Sequence, residues 1–366
     1  MDTPIEKRAC PQWVLRLCNL SWPMDNKLEI EKPLAYLDQN ILDVFVKGGA
    51  NGFMQQLTSK FHVVYSDETL KEIKRSGEHA LIFIKALKNL KAYHIKINVE
   101  EGSFLIKGDA VVNSSDPEHV YNEYLNRNRG EEHDVLDAGG KWLHKFYGGR
   151  AEQSFSSIYG EQRDAFNALI DKIDTSGEEL EEEIPGITEI LRAKKMNLLE
   201  QFEHSMSEIE ERMENDIGDG LGWSGVKDFR SSIQLGPVEL NNVESPDVVK
   251  KIWGLVQKKE KHFTEISVET LLSFNQAAAQ PERSLHTHEK IHAIYNLLNM
   301  VGYFPDTKLH NKRRFVSAQS DAAHASMAGF CQAVISRDER FVKKLSAALE
   351  YLNLNTQVIF VKLENS

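Results

Sequence analysis

Cysteine is scarce in this 366-residue chain, which holds three: Cys10, Cys18 and Cys331. Three thiols are too few for a disulfide framework, and no two stand at the CxxC spacing of a zinc or redox motif. Long apolar runs are missing too. None approaches the ~20 residues that a helix needs to span a bilayer, so no membrane partner is expected. The opening "MDTPIEKRACPQWVLRLCNL" carries charge throughout and shows no clean apolar segment or small-residue cleavage site. That removes a secretory leader from the expectations and leaves a reducing cytoplasm as the simplest compartment. Basic charge is also in short supply: Lys and Arg number 44 against 55 Asp and Glu, a net of −11. A protein coated in basic surface for nucleic acid has the opposite balance.

What is present suits a globular protein, with 41% apolar and 27% charged residues, enough to bury one large core or two smaller ones. The charge is uneven. Residues 178–214 hold twelve acidic and four basic side chains, a net of −8, whereas 308–344 hold eight basic and three acidic, a net of +5. A polyanion is therefore expected at the C-terminal part.

Near the N-terminus the apolar run "LAYL" (34–37) ends at Asp38, and Ile41, Leu42, Phe45 and Val46 then share one face of a helix. "FHVVYS" (61–66) reads as a strand, and "DETLKEIKRSG" opens a helix with acidic residues in its first turn. A second helix is predicted over about 78–92. "HIKINVEEGSFLIKG" alternates around a Gly-containing turn and predicts a hairpin. From about 115 to 300 no strand pattern appears. After Pro185 the residues Leu191, Leu198, Phe202, Met206, Ile209 and Met213 recur at helical intervals. This predicts a helical hairpin or bundle, or a stripe for self-association or a protein partner. After 300 come a small-residue helix (321–331), the strand "QAVIS", the helix "DERFVKKLSAALEYL" and the strand "TQVIFVK". The expected fold is α/β with a central, mostly parallel sheet. Its two parts, 1–110 and 301–366, flank a helical insertion at 111–300.

Four acidic residues occupy comparable places in this plan. Asp38 ends the first strand, and Glu72 lies one turn into the helix after the second. Asp321 is expected to open the small-residue helix, and Asp338 follows "QAVIS". In open α/β sheets the carboxyl ends of parallel strands converge on one crevice. Carboxylates crowded there repel one another, and a hard divalent cation with oxygen ligands offsets the repulsion. Each residue also has a structural alternative: Asp321 and Asp338 as helix caps, and Glu72 as a solvated partner of Lys71 and Lys74.

The pieces "YLDQNIL", "SDETLKEI", "SDAAHASMA" and "VISRDERF" together resemble the PIN-domain nucleases. The likeness covers roughly 30–100 and 315–363, and the four pieces stand in the family's order. The resemblance implies a PIN-like fold in which Asp38, Glu72, Asp321 and Asp338 bind Mg²⁺ or Mn²⁺ and catalyse phosphodiester hydrolysis. Asn40 and Ser336 would then be supporting polar groups. It implies an endonuclease with RNA favoured over DNA, and a toxin or defence role under a partner's control. The long stretch between Glu72 and Asp321 departs from the family's usual length. With this reading, Lys312, Arg313, Arg314 and Arg337 are the expected backbone-binding cations, and His324 shares a helix face with Asp321. A DNA nuclease on the same site and a non-catalytic RNA-binding or scaffold protein are the alternatives.

One further motif competes. "HTHEKIH" (286–292) contains His288, Glu289 and His292 in the His-Glu-x-x-His spacing of zinc proteases. Two features weigh against that reading. No Glu follows before Glu339, and Tyr295 and Leu298 stand where the longer pattern requires Gly and His. His286 belongs to the same stretch without an assigned role.

Overall fold

The computed structural model describes residues 32–47, 51–100, 106–127, 140–181, 185–276 and 283–362. Six strands form one sheet: β1 (Leu34–Leu37), β2 (His62–Tyr65), β3 (Tyr93–Val99), β4 (Ile106–Asn113), β5 (Ala333–Ser336) and β6 (Gln357–Phe360). Their order is β4-β3-β2-β1-β5-β6. All neighbours are parallel except β3 and β4, which pair antiparallel with His94 opposite Asn113 and Val99 opposite Ile106. The turn expected between β3 and β4, at 101–105, lies outside the described residues, as do Cys10 and Cys18. The expected α/β class with a mostly parallel sheet is what the chain adopts.

The strands "LAYL" and "AVIS" are buried at every position, as parallel strands covered on both faces should be. Side chains alternate between those faces. On one face Leu34, Tyr36, Val64, Ile95 and Val334 share a core with helices. On the other, Ala35, Leu37, Val63, Tyr65, Ala333 and Ile335 do the same with a different set.

Helices α1 (Gln39–Val46), α2 (Asn51–Lys60), α3 (Asp67–Arg75), α4 (Ala80–Asn89) and α5 (Pro117–Arg127) follow the first strands. Then come the long pair α6 (Phe155–Leu180) and α7 (Ile187–Ile217), and the short α8 (Val226–Ser232) and α9 (Pro237–Leu240). The last are α10 (Val248–Lys259), α11 (Val268–Leu271), α12 (Thr287–Val301), α13 (Lys312–Ala328) and α14 (Glu339–Tyr351).

The structure does not part at 110/111 and 300/301. β4 crosses the first boundary, and Ile252, Trp253, Ile294 and Tyr295 lie in one core with Tyr36 and Val334 of the sheet. The reason is geometric: that face of the sheet has apolar positions to cover, and α10 and α12, packed on α14 and α13, cover them. Among the described residues, α6 and α7 stand apart from the two cores of the sheet. They pack along each other, with α7 about 46 Å long at 1.5 Å per residue. Phe166 and Phe202 stack with ring centroids 4.0 Å apart, and Arg163 bridges to Glu203 and Glu210. Along the stripe read from the sequence, Met206 is buried while Ile209 is 40% exposed. The side chains of Leu198 and Met213 lie outside the described residues. Lys145, fully buried, fixes the base of the pair by donating to the Gly220 carbonyl at 2.6 Å.

The small-residue helix is longer than its composition suggested. It begins at Lys312, capped by Asn311, whose side chain accepts from Arg313 N and Arg314 N. Asp321 therefore sits in its third turn and caps nothing, which corrects the expected start at 321. Ala318, Ala322, Ala325 and Ala328 are buried along one side, and α12 packs closely against it: a Cβ added at Gly329 would fall 2.2 Å from Ile291 Cδ1.

Candidate functional site

The chain runs outward from β1 to β2 and β3, then returns to the other side of β1 as β5 and β6. The order reverses between β1 and β5, so the crevice of an open sheet falls at their carboxyl ends. Asp38 and Asp338 follow those two strands. A backbone bond from Asp38 N to the Ile335 carbonyl (3.1 Å) holds the ends side by side.

Asp38 is 6% exposed and precedes α1 without capping it. Its Oδ2 instead accepts from Ser336 Oγ (2.5 Å) and from Asn40 Nδ2 (2.5 Å). Asn40 Nδ2 also reaches Ser336 Oγ (3.2 Å), and its Oδ1 accepts from Arg337 N (2.9 Å). The pairs Asp-x-Asn and Ser-x-Asp thus interlock across two strands. Burial pushes the Asp38 carboxyl above the usual range, and Glu72 and Asp338 add to that, while His324 and Ser336 pull it back. Asp338 fills the capping role that was its structural alternative. Its Oδ1 accepts from Arg340 N and Phe341 N as the cap of α14, and its charge reaches Asp38.

Glu72 enters from α3. Ser320 Oγ lies 2.9 Å from its Oε1 and 2.6 Å from Glu68 Oε1, so the single hydroxyl proton serves one carboxylate at a time. Arg75 closes the set at 3.1 Å from Glu72 and 2.8 Å from Ser320. The buried His324 ring has Nδ1 2.6 Å from Tyr36 OH. Its Nε2 lies 3.2 Å from Glu72 Oε2, an ion-pair contact without hydrogen-bond alignment. Burial pushes His324 down, but Glu72, Asp38 and Glu68 outweigh it and the net shift is upward. Burial would raise Glu72, and His324, Ser320 and Arg75 together lower it.

Asp321 differs from the other three. Among the described residues its side chain makes neither a hydrogen bond nor an ion pair. Its carboxyl is held well above the usual range by burial and then by Asp38, Asp306 and Asp338, with Lys344 opposing. All four acids read from the sequence therefore converge on one sheet edge.

The donor chemistry fits a hard divalent cation: carboxylate oxygens, two of them on side chains that repel each other. Among the described residues no three His, Cys, Asp or Glu side chains are already gathered about one point as a ready metal shell. Glu72 is engaged with its own neighbours, which leaves Asp321 and the second oxygens of Asp38 and Asp338 without a hydrogen bond among the described residues.

Among the expected cations, Lys312, Arg313 and Arg314 are exposed on the first turn of α13. Asp321 lies nine residues on, about 13 Å along the axis. Arg337 is half-buried beside Asn40. Beside the network a groove of about 770 Å³ opens over the ends of β2 and β3, between Glu68, Ile97, Asn98, His292 and Met327. The chain matches no family model, no curated protein and no solved structure.

The rival motif is built into its own helix. Glu289 is taken by Arg283 (2.6 and 2.9 Å) and by His286 N (2.7 Å), as a capping box of α12. Burial opposes these bonds but loses to them, and the carboxyl falls to about 2, far below what a general base needs near neutrality. His288 packs against Phe330, and His286 bonds the Ile106 carbonyl.

Sequence reasoning missed Tyr36, Ser66, Glu68, Ser320 and Lys344 as neighbours of the acids. Tyr36 and His324 lie 288 positions apart in the chain, and no local pattern joins them.

Proposed function

We propose that this chain is a metal-dependent, PIN-like nuclease that hydrolyses RNA. The observation that carries the reading is the convergence of Asp38, Glu72, Asp321 and Asp338 on the β1/β5 edge, where Glu72 and Asp338 bear on Asp38 and Asp38 bears on Asp321. Four like charges at a strand-order switch are costly to the fold and are compensated by a bound cation. The motif resemblance supports the choice of nuclease over other hydrolases and of RNA over DNA.

Asp38 and Asp321 would hold Mg²⁺ or Mn²⁺, with Glu72 and Asp338 completing the charge. Such an ion, when bound, polarises a phosphate and eases deprotonation of an attacking water. The chain's own groups do the rest. Ser336 and Asn40 fix one oxygen of Asp38 and leave the other without a hydrogen bond among the described residues. His324 and Ser320 keep Glu72 ionised. Lys312, Arg313 and Arg314, paired with no acid among the described residues, hold the phosphate backbone on the approach to Asp321. The test is incubation of labelled single-stranded RNA and matched DNA with and without Mn²⁺, alongside Asp38→Asn. Cleavage of RNA that needs Mn²⁺ and fails in the variant supports the reading. DNA-selective cleavage would reassign the substrate, and binding without cleavage would make the chain a non-catalytic RNA-binding protein.

A further inference from the structure

Behind the acidic edge, where α12 and α14 meet, lies a polar set that the four carboxylates do not explain. Lys344 is fully buried. Its ammonium donates to Asp306 Oδ2 (2.7 Å) and Asn299 Oδ1 (3.4 Å) and sits 4.4 Å from the centroid of the Tyr295 ring. Asn299 Oδ1 also accepts from Asp306 N at 2.7 Å. The Tyr295 side chain is 1% exposed, and its hydroxyl has no hydrogen-bond partner among the described residues.

An unpartnered hydroxyl at that depth is costly, and a phenylalanine would fill the same space without the cost. Tyr295 packs against Phe341, whose backbone N–H donates to Asp338 Oδ1, and its helix α12 packs along α13, which carries Asp321. Burial weighs most on its hydroxyl, and the charges that bear on it are Asp321, then Asp306 of the Lys344 set, then Asp338 and Asp38. Asp321 is also the acid whose side chain has no hydrogen bond or ion pair among the described residues. Two unsatisfied groups, one donor and one acceptor, therefore belong to the same corner.

We propose that Tyr295 is a positioning residue of the acidic site, its hydroxyl donating to an oxygen ligand of a divalent cation held by Asp321 and Asp38. Lys344, locked by Asp306 and Asn299, fixes the ring from beneath. The inference rests on reading the acidic edge as a cation site, and it adds a neutral donor to a group composed of acceptors. Tyr295 is also the residue that broke the zinc-protease pattern in the sequence, where a glycine was required.

The test is Mn²⁺ titration, followed by electron paramagnetic resonance, of wild type, Tyr295→Phe, Asp38→Asn and Asp321→Asn. Thermal melting without metal is recorded in parallel. Tyr295→Phe should melt at the wild-type temperature or above it and bind Mn²⁺ roughly 5- to 20-fold more weakly. The tyrosine near-ultraviolet difference signal that Mn²⁺ induces in wild type should shrink in this variant. Equal Mn²⁺ affinity in wild type and Tyr295→Phe overturns the proposal while leaving the cation site intact. A Tyr295→Phe variant that melts well below wild type overturns it too, because the hydroxyl would then have a structural partner. If wild type takes up no Mn²⁺, or both Asp variants bind it normally, the cation reading of the acidic edge falls and the role of Tyr295 with it.

Discussion

Removing the Ser336 hydroxyl should cost the fold about 3 kcal/mol. The side chain is fully buried and uses its whole capacity: one proton to Asp38 Oδ2 at 2.5 Å, with bonds accepted from Asn40 at 3.2 Å and from Asp338 N at 3.0 Å. Ser336→Ala removes one bond to a charged acceptor, about 1.5–3 kcal/mol, and leaves the Asp338 N–H without its partner, about 1 kcal/mol more. Asn40 keeps its bond to Asp38 and compensates in part. At roughly 2 °C per kcal/mol for a chain of this size, the melting temperature should fall by about 6 °C.

The pH dependence of that loss carries further information. Burial already raises the Asp38 carboxyl and Ser336 opposes it, so the variant's carboxyl should rise further. A carboxyl raised on folding binds its proton more tightly in the folded state. Its contribution to stability therefore declines as pH climbs from the unfolded value of about 3.9 through the folded one. Ser336→Ala extends that window upward, so the destabilisation should be larger near neutral pH than near pH 4. Guanidinium unfolding at both pH values measures it. A loss under about 0.5 kcal/mol, or one that does not grow with pH, would mean that Ser336 does not hold Asp38, and the interlock of β1 and β5 would be misread.

Phe202→Asp should break the ring stack with Phe166 and lower the helicity of the α6–α7 pair, at a cost of about 2 kcal/mol or more. Mn²⁺ affinity should be unchanged, because the pair stands apart from the acidic edge; circular dichroism and the Mn²⁺ titration check the two halves. Replacing Lys312, Arg313 and Arg314 together with Ala should weaken RNA binding about equally for all sequences. It should also flatten the slope of log affinity against log salt by up to ~0.7 for each phosphate no longer neutralised. An unaltered salt slope would place the RNA elsewhere.

The parts of the fold legible in the sequence were those with local signatures. "LAYL", "HVVY", "AVIS" and "QVIF" are short apolar runs bounded by polar residues, and each became a strand. Asp38, Asn40, Ser336 and Asp338 could be named because each pair lies within three residues of a strand end. The start of α13 was missed because three cations precede the alanines and resemble a solvated arm, although Asn311 supplies a strong cap. The part that α10 and α12 play in the core was hidden for a different reason. Their apolar faces are plain in the sequence, but a stripe does not say which surface it covers. Tyr295 and Lys344 lay further still from reach, since a lone tyrosine and a lone lysine on helices carry no signal until tertiary packing buries them.

The central claim is that Asp321 binds a cation for phosphodiester hydrolysis, and single-turnover cleavage of labelled RNA by wild type and Asp321→Asn in Mn²⁺ tests it most directly. Asn keeps the side chain's size, and the Asp321 side chain caps no helix and makes no hydrogen bond or ion pair among the described residues. Without metal the variant should therefore melt at the same temperature or slightly above it, relieved of the repulsion from Asp38 and Asp338. Cleavage should fall by at least ~10²-fold, about 2.7 kcal/mol of transition-state stabilisation. Adding Asp38→Asn should worsen it little, since the acids act as a unit. Mn²⁺-dependent cleavage at the wild-type rate in Asp321→Asn would contradict the account.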